Sequence, residues 1–155
     1  MAGKIDAQIK SLGLNLPTAS APVANYVPYV RTGNLVFVSG QIPQLDGTAQ
    51  YVGLVGEQIS PEDAYEAAKL CGLNLIAQVK GACGGDLDRV TRVVKLTGFV
   101  AAGPHFTDQP KVINGASDLM VQVFGDAGRH SRAAVGASSL PRGVPVEVEA
   151  VFEVS

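Results

Sequence analysis

The sequence predicts an α+β domain with two helices on one face of a shared sheet, and three observations predict it. After a short first helix, β-rich runs and helical periodicities alternate in the order hairpin, helix, strand, helix, hairpin. The stretch after Ser60 opens like a capped helix and keeps one apolar face as far as Gly84-Gly85. In the last strand Val146, Val148, Ala150, Phe152 and Val154 share one side, while Glu147, Glu149, Val151 and Glu153 share the other. Helices cover the apolar side. The mixed side, with its three acids, suits an oligomer interface or a cavity better than a dry core.

Each element has a local reason. Ile5, Ile9 and Leu12 make a short amphipathic helix from Met1 to Leu12, which Gly13 ends and Pro17 keeps from restarting. Residues 18–24 are a connection. From Asn25 to Gln41 two β-rich runs flank Thr32-Gly33-Asn34, a hairpin signal, and the apolar run Leu35 to Ser39 reads as a central strand. Gly40 removes a side chain where the backbone must come close to something. Leu45 to Val55 is turn-rich, with a short strand expected at Tyr51 to Leu54. Ser60-Pro61-Glu62-Asp63 starts the long helix: Ser caps, Pro suits the first turn, and the acids favour the positive end of the dipole. A strand lies within Leu87 to Ala102, ended by Gly103-Pro104. A second helix runs from Thr107 or Asp108 to Phe124, with Val112, Leu119, Met120 and Val123 as core candidates. Arg129 to Ser155 reads as two strands joined by a Pro/Gly turn.

The totals bound the function. A chain of 155 residues is one ordinary domain, here residues 1–155 with a helical extension at 1–17 and a core at 25–154. It is 46% hydrophobic and only 17% charged, enough for a core and a sign that partner subunits cover some surface. The net charge of −2, without any basic block, argues against nucleic acid as a partner. Cys71 and Cys83 have no metal-ligand pattern around them and read as buried small hydrophobes. No apolar run is long enough for a membrane span and MAGKIDAQIK is not a signal peptide, so the expected location is the reducing cytoplasm, with no membrane partner.

Several separated motifs, in order, resemble one family. Gly33-Asn34-Leu35-Val36-Phe37-Val38-Ser39-Gly40-Gln41-Ile42-Pro43 is similar to the GNLVFVSGQIP strand of the Rid/YjgF family, the imine and enamine deaminases once called L-PSP endoribonucleases. Asn114 sits where that family has its helix Asn. Arg132, with Ala133-Ala134-Val135 and then Leu140-Pro141, resembles the family's R-S-C-V…L-P signature, and Val146-Glu147-Val148-Glu149-Ala150 its closing V-E-I-E-A strand. The resemblance spans roughly Tyr26 to Glu153. It departs at Ala24-Asn25-Tyr26-Val27-Pro28, which stands for G-P-Y-S-Q, and at Ala134, which stands for Cys, and so marks a divergent subgroup. It implies a chorismate-mutase-like fold with a mixed, mainly antiparallel sheet and a homotrimer with a barrel-like centre and three clefts between subunits. It also implies hydrolysis of enamines and 2-imino acids to 2-keto acids and ammonia, with neither metal nor cofactor.

The residues are weighed on their own chemistry as well. Arg132 offers a planar fork that matches a carboxylate, so it can hold a small carboxylate-bearing metabolite by its unreactive end; the plainer reading is an ion pair with Glu147, Glu149 or Glu153. Glu147, shielded in a cleft, can orient water or carry protons, or else stand on a solvated strand face. A simple hairpin register sets Arg132 opposite Phe152 rather than Glu147, so the two meet across subunits or not directly. Ser39 and Gly40 can bind substrate through backbone groups or form a β-bulge. Asn114 can line the cleft or bond within its helix. Tyr26 can lid the pocket, and Ala134 lies on its wall. His105 and His130, in Gly/Pro-rich loops, are weak candidates. The alternative to an enzyme is a metabolite-binding trimer with the same cleft. A ribonuclease is disfavoured by the acidic charge.

Overall fold

The N-terminal helix, α1 (Lys4–Ser11), shows how its free amides decide where it docks. Gly3 has no side chain with which to cap it, so Asp88 reaches over and accepts from the Lys4 and Ile5 N–H groups at 2.9 and 2.8 Å. Gly13, at φ 69°, ends it where a left-handed residue is needed. The structure, a computed structural model, describes residues 3–22 and 24–155. Met1 and Ala2, where the helix was expected to begin, and Val23 of the 18–24 connection lie outside the described residues.

The hairpin pairs β1 (Tyr29–Thr32) with β2 (Leu35–Gln41) through Gly33 at φ 58° and Asn34. Gln44–Leu45 (β3) and Thr48–Ala49 (β4) form a second, minimal hairpin, turned by Asp46 and Gly47, both at positive φ. The short strand expected at Tyr51–Leu54 is absent: that segment is loop, and the local ladder lies just before it, where Asp-Gly fits a tight turn.

Two helices follow as the sequence predicts. In α2 (Pro61–Ala82) the Ser60 hydroxyl accepts from the Asp63 N–H at 3.1 Å. α3 (Gln109–Phe124) buries Val112, Leu119, Met120 and Val123. Small residues bring the pair together. A Cβ on Gly115 would run into the Tyr65 carbonyl, and Gly72 lies under Leu119. Gly98 leaves the space that Ile113 fills, which seats α3 on the sheet. α1 lies against this layer through an Asp6–Lys80 ion pair of 2.8 Å and a Gln8 amide donating to the Gln122 carbonyl.

β5 (Val90–Ala101) pairs in parallel with β6 (Ser131–Ala137) and antiparallel with β7 (Val146–Val154), giving the sheet order β1-β2-β7-β5-β6. The two last strands are therefore not a hairpin, and this corrects the tight-turn expectation. Eight residues separate them, and a 3-10 turn at Pro141–Gly143 carries the chain across β5. Burial explains the order. β7 hides every second side chain and belongs in the middle, whereas β6, mostly small residues with Arg132 and Val135, is half-exposed and suits an edge. β2 is interior, yet Phe37 is 46% exposed on the face that the helices leave open, so it is not apolar-buried on both sides. The result is an α+β fold with a mixed sheet and three helices. Among the described residues no helix is long and apolar enough to cross a membrane.

Candidate functional site

One group of the predicted residues collects around Glu147. Its carboxyl is half-buried and is held above its ordinary range, first by burial and then by the neighbouring Glu149. Gly40 is what makes room for it: a Cβ there would stand 2.6 Å from Glu147 Oε1. The ladder between β2 and β7 is irregular between Val38 and Gln41, so Ser39 and Gly40 do form a bulge. Ser39 holds the neighbouring loop: its hydroxyl donates to the Val27 carbonyl at 2.8 Å and its N–H to the Pro28 carbonyl at 2.9 Å. The buried Gln41 amide donates to the Ser39 carbonyl. Tyr26, 52% exposed, hangs at the rim in a loop rather than in a strand. Together these residues line a cleft of about 210 Å³ that Arg142 also borders, a volume for a small metabolite.

A second group collects around Arg132. Its Nη1 donates to Asn114 Oδ1 at 2.8 Å and to Ser117 Oγ at 3.2 Å. Both protons of Nη1 are thereby committed, and the Nε–Nη2 edge remains as the side-on fork for a carboxylate. Among the described residues no carboxylate lies within ion-pair distance of the guanidinium, so the plainer reading as a partner of Glu147, Glu149 or Glu153 does not hold. Ala134 stands two residues on, on the same face, against the core.

Sheet register separates the two groups. Arg132 pairs with Leu96, not opposite Phe152, and shares the helix-covered face with Gly98 and Ala134. Glu147 pairs with Phe99 and lies on the open face. β5 stands between their strands, so within one chain the structure brings Tyr26, Ser39, Gly40 and Glu147 together, brings Arg132, Asn114 and Ala134 together, and does not join the sets.

Ser117 and the partnership of His130 were missed by the sequence reading. Ser117 follows Asn114 by three residues, hence on one helix face, and that spacing was the available signal. His130 Nε2 is 2.8 Å from Ser117 Oγ, and His130 Nδ1 is 2.7 Å from the Gly128 carbonyl. His105 lies in an exposed loop apart from both groups. Cys71 and Cys83 are buried, and burial is the first cause that pushes both thiols up, which leaves them unreactive. Among the described residues no group of three His, Cys, Asp or Glu is placed to hold a metal ion.

Comparison with known proteins gives this geometry a setting. Residues 6–148 match the family model described as "YjgF/chorismate_mutase-like, putative endoribonuclease". The chain is 46% identical over 155 residues to protein TCP17 of Trypanosoma cruzi, an alignment covering 99% of this chain and 96% of that one. It superposes with a TM-score of 0.91 on the crystal structure of a protein of unknown function from Agrobacterium tumefaciens, at 49% identity and covering 97% of this chain and 92% of that one. A 2-iminobutanoate/2-iminopropanoate deaminase of Dermatophagoides farinae is 27% identical over 139 residues, covering 89% of this chain and 92% of that protein.

Proposed function

From the premise that the chain belongs to the YjgF/chorismate-mutase-like family, we propose that it hydrolyses small enamines and 2-imino acids to 2-keto acids and ammonia. The observation that carries this is Arg132: a guanidinium anchored on one nitrogen by neutral acceptors, with a two-proton edge turned to no carboxylate among the described residues of its own chain. The named activity of the Dermatophagoides farinae relative supports the reaction class.

In this reading three copies form a ring. Arg132, Asn114 and Ala134 of one copy face Tyr26, Ser39, Gly40 and Glu147 of the next, and three clefts result. Arg132 holds the substrate carboxylate, which fixes the adjacent C=N carbon for attack. Glu147, its affinity for a proton raised, orients a water and takes one of its protons as the new C–O bond forms. That proton goes to nitrogen, giving a carbinolamine; Glu147 then takes the carbinol O–H proton and passes it to the same nitrogen, so that the C–N bond breaks, ammonia leaves and the carbinol oxygen becomes the keto oxygen. An enamine enters the same path after Glu147 protonates its carbon. The two buried thiols fit a reducing cytoplasm.

A second reading keeps the cleft without turnover. Ser39 favours it, because its N–H and hydroxyl are both committed inside the chain and offer the substrate less. One assay separates the two. An amino-acid oxidase generates 2-imino acids, semicarbazide traps them, and wild type is run beside Arg132→Ala. Wild type that outcompetes the trap while the variant does not supports the deaminase. Failure of both across small, aromatic and basic imino acids leaves a binding site.

A further inference from the structure

Arg132 is held by a chain of hydrogen bonds whose directions can be worked out. The Gly128 carbonyl can only accept, so His130 Nδ1 carries a proton. The ring is half-buried, and burial outweighs the opposing pull of the Gly128 carbonyl and, with the nearby Arg132, lowers its affinity for a second proton, so at neutral pH the neutral ring is favoured. Nε2 is therefore a bare acceptor. The Ser117 hydroxyl, 2.8 Å away, must donate to it, which turns the oxygen lone pairs toward Arg132 Nη1. Gly128 itself is pinned, since a Cβ there would run into the Met120 carbonyl of α3. Both ring nitrogens are thus anchored, and the hydroxyl rotor has one setting.

We propose that His130 and Ser117 are positioning residues for Arg132: the imidazole sets the Ser117 hydroxyl, and the Ser117 oxygen, with Asn114 Oδ1, holds Nη1 so that the Nε–Nη2 edge faces the substrate carboxylate. Neither residue touches substrate. The role rests on the reading in which Arg132 grips a carboxylate, and it deepens that reading by naming what orients the grip.

Two measurements on the full chain test it. The first is ¹⁵N NMR of His130 at pH 7, where a neutral ring protonated on Nδ1 is expected and a ring protonated on Nε2 overturns the proposal. The second is the affinity for 2-oxobutanoate by NMR titration, which needs no turnover, alongside KM and kcat for a 2-imino acid. Ser117→Ala and His130→Phe should each weaken affinity and raise KM by roughly five- to twentyfold, less than the full loss of a hydrogen bond to a charged group because the Asn114 bond still holds Nη1, with kcat changed less than about twofold. His130→Gln, whose amide oxygen can accept from Ser117, should restore affinity to within about threefold of wild type. Unchanged affinity in Ser117→Ala and His130→Phe, beside a weakened Arg132→Ala, overturns the positioning role alone. An Arg132→Ala protein that binds like wild type overturns the carboxylate reading and the positioning role with it.

Discussion

Replacing Arg132 with lysine separates charge from geometry. The guanidinium bonds Asn114 and Ser117 through Nη1 and has the Nε and Nη2 protons left for a carboxylate. Lysine keeps the charge but has a single nitrogen at the end of a flexible stem. It can stay on Asn114 and Ser117 or turn to the substrate, and in neither position can it reproduce the parallel pair of bonds. Loss of one hydrogen bond to a charged group costs about 1.5–3 kcal/mol. At about 1.4 kcal/mol per factor of ten, kcat/KM of Arg132→Lys should fall roughly 10- to 150-fold. Arg132→Ala loses both bonds and the charge, and should fall roughly another tenfold or more. The loss should appear mainly in KM, because the carboxylate does not react. The assay is the semicarbazide competition, with circular dichroism and light scattering to confirm that fold and assembly persist. Arg132→Lys within about threefold of wild type would refute the side-on fork, since a point charge would then suffice.

The Glu147 cleft gives two further expectations. Gly40→Ala puts a methyl group 2.6 Å from the Glu147 carboxylate, the movable end of a side chain, and φ at Gly40 is not positive, so the protein should fold while kcat drops roughly 100-fold from about an ångström of displacement; unchanged kcat would sink the proton-carrying role. Glu147→Gln removes a carboxyl that burial and Glu149 raise above its ordinary 4.5. A raised acid stabilises the fold fully below the unfolded value and loses that contribution as pH rises through the folded one, so wild type should lose melting temperature relative to Glu147→Gln as pH rises above the ordinary 4.5, and a constant gap between the two melts would contradict the shift.

Much of the fold was legible because its signals are local. Ser60-Pro61 starts α2, Gly33-Asn34 turns the first hairpin, and the alternation along β7 names its buried face residue by residue. Strand neighbours are not local. The alternation shows that β7 is buried on one side but not that β2 and β5 flank it, and chain order alone set β6 beside it. The same gap hid the separation of Arg132 from Glu147, because parity can be counted along one strand and carried to another only through a known register. Asp46-Gly47 was a readable turn, overlooked because the strands it joins are two residues each. Ser117 was readable too, three residues from Asn114, but serine on a helix has so many uses that spacing alone does not single it out.

The placement of the two residue groups limits how copies can meet. Arg132 lies on the helix-covered face at the β6 edge, and Glu147 on the open face of β7. In a twofold dimer each copy offers one patch to the other, so a shared cleft would need both groups within that patch. Groups on opposite faces of a sheet do not meet that condition. A cyclic arrangement does: each copy gives its Arg132 side to one neighbour and its Glu147 side to another, and the ring closes at three or more. The open face supplies material for such contacts, since Val30, Phe37 and Val135 are exposed there together with Glu149 and Lys95, a mixture of apolar side chains and charges of both signs suited to an interface between subunits. Light scattering at micromolar concentration is expected to give about three chain masses, the smallest ring that meets this condition. A monomer or a twofold dimer that still hydrolyses imines would show that Arg132 and Glu147 do not share a cleft, and Glu147 would lose its role before Arg132 did.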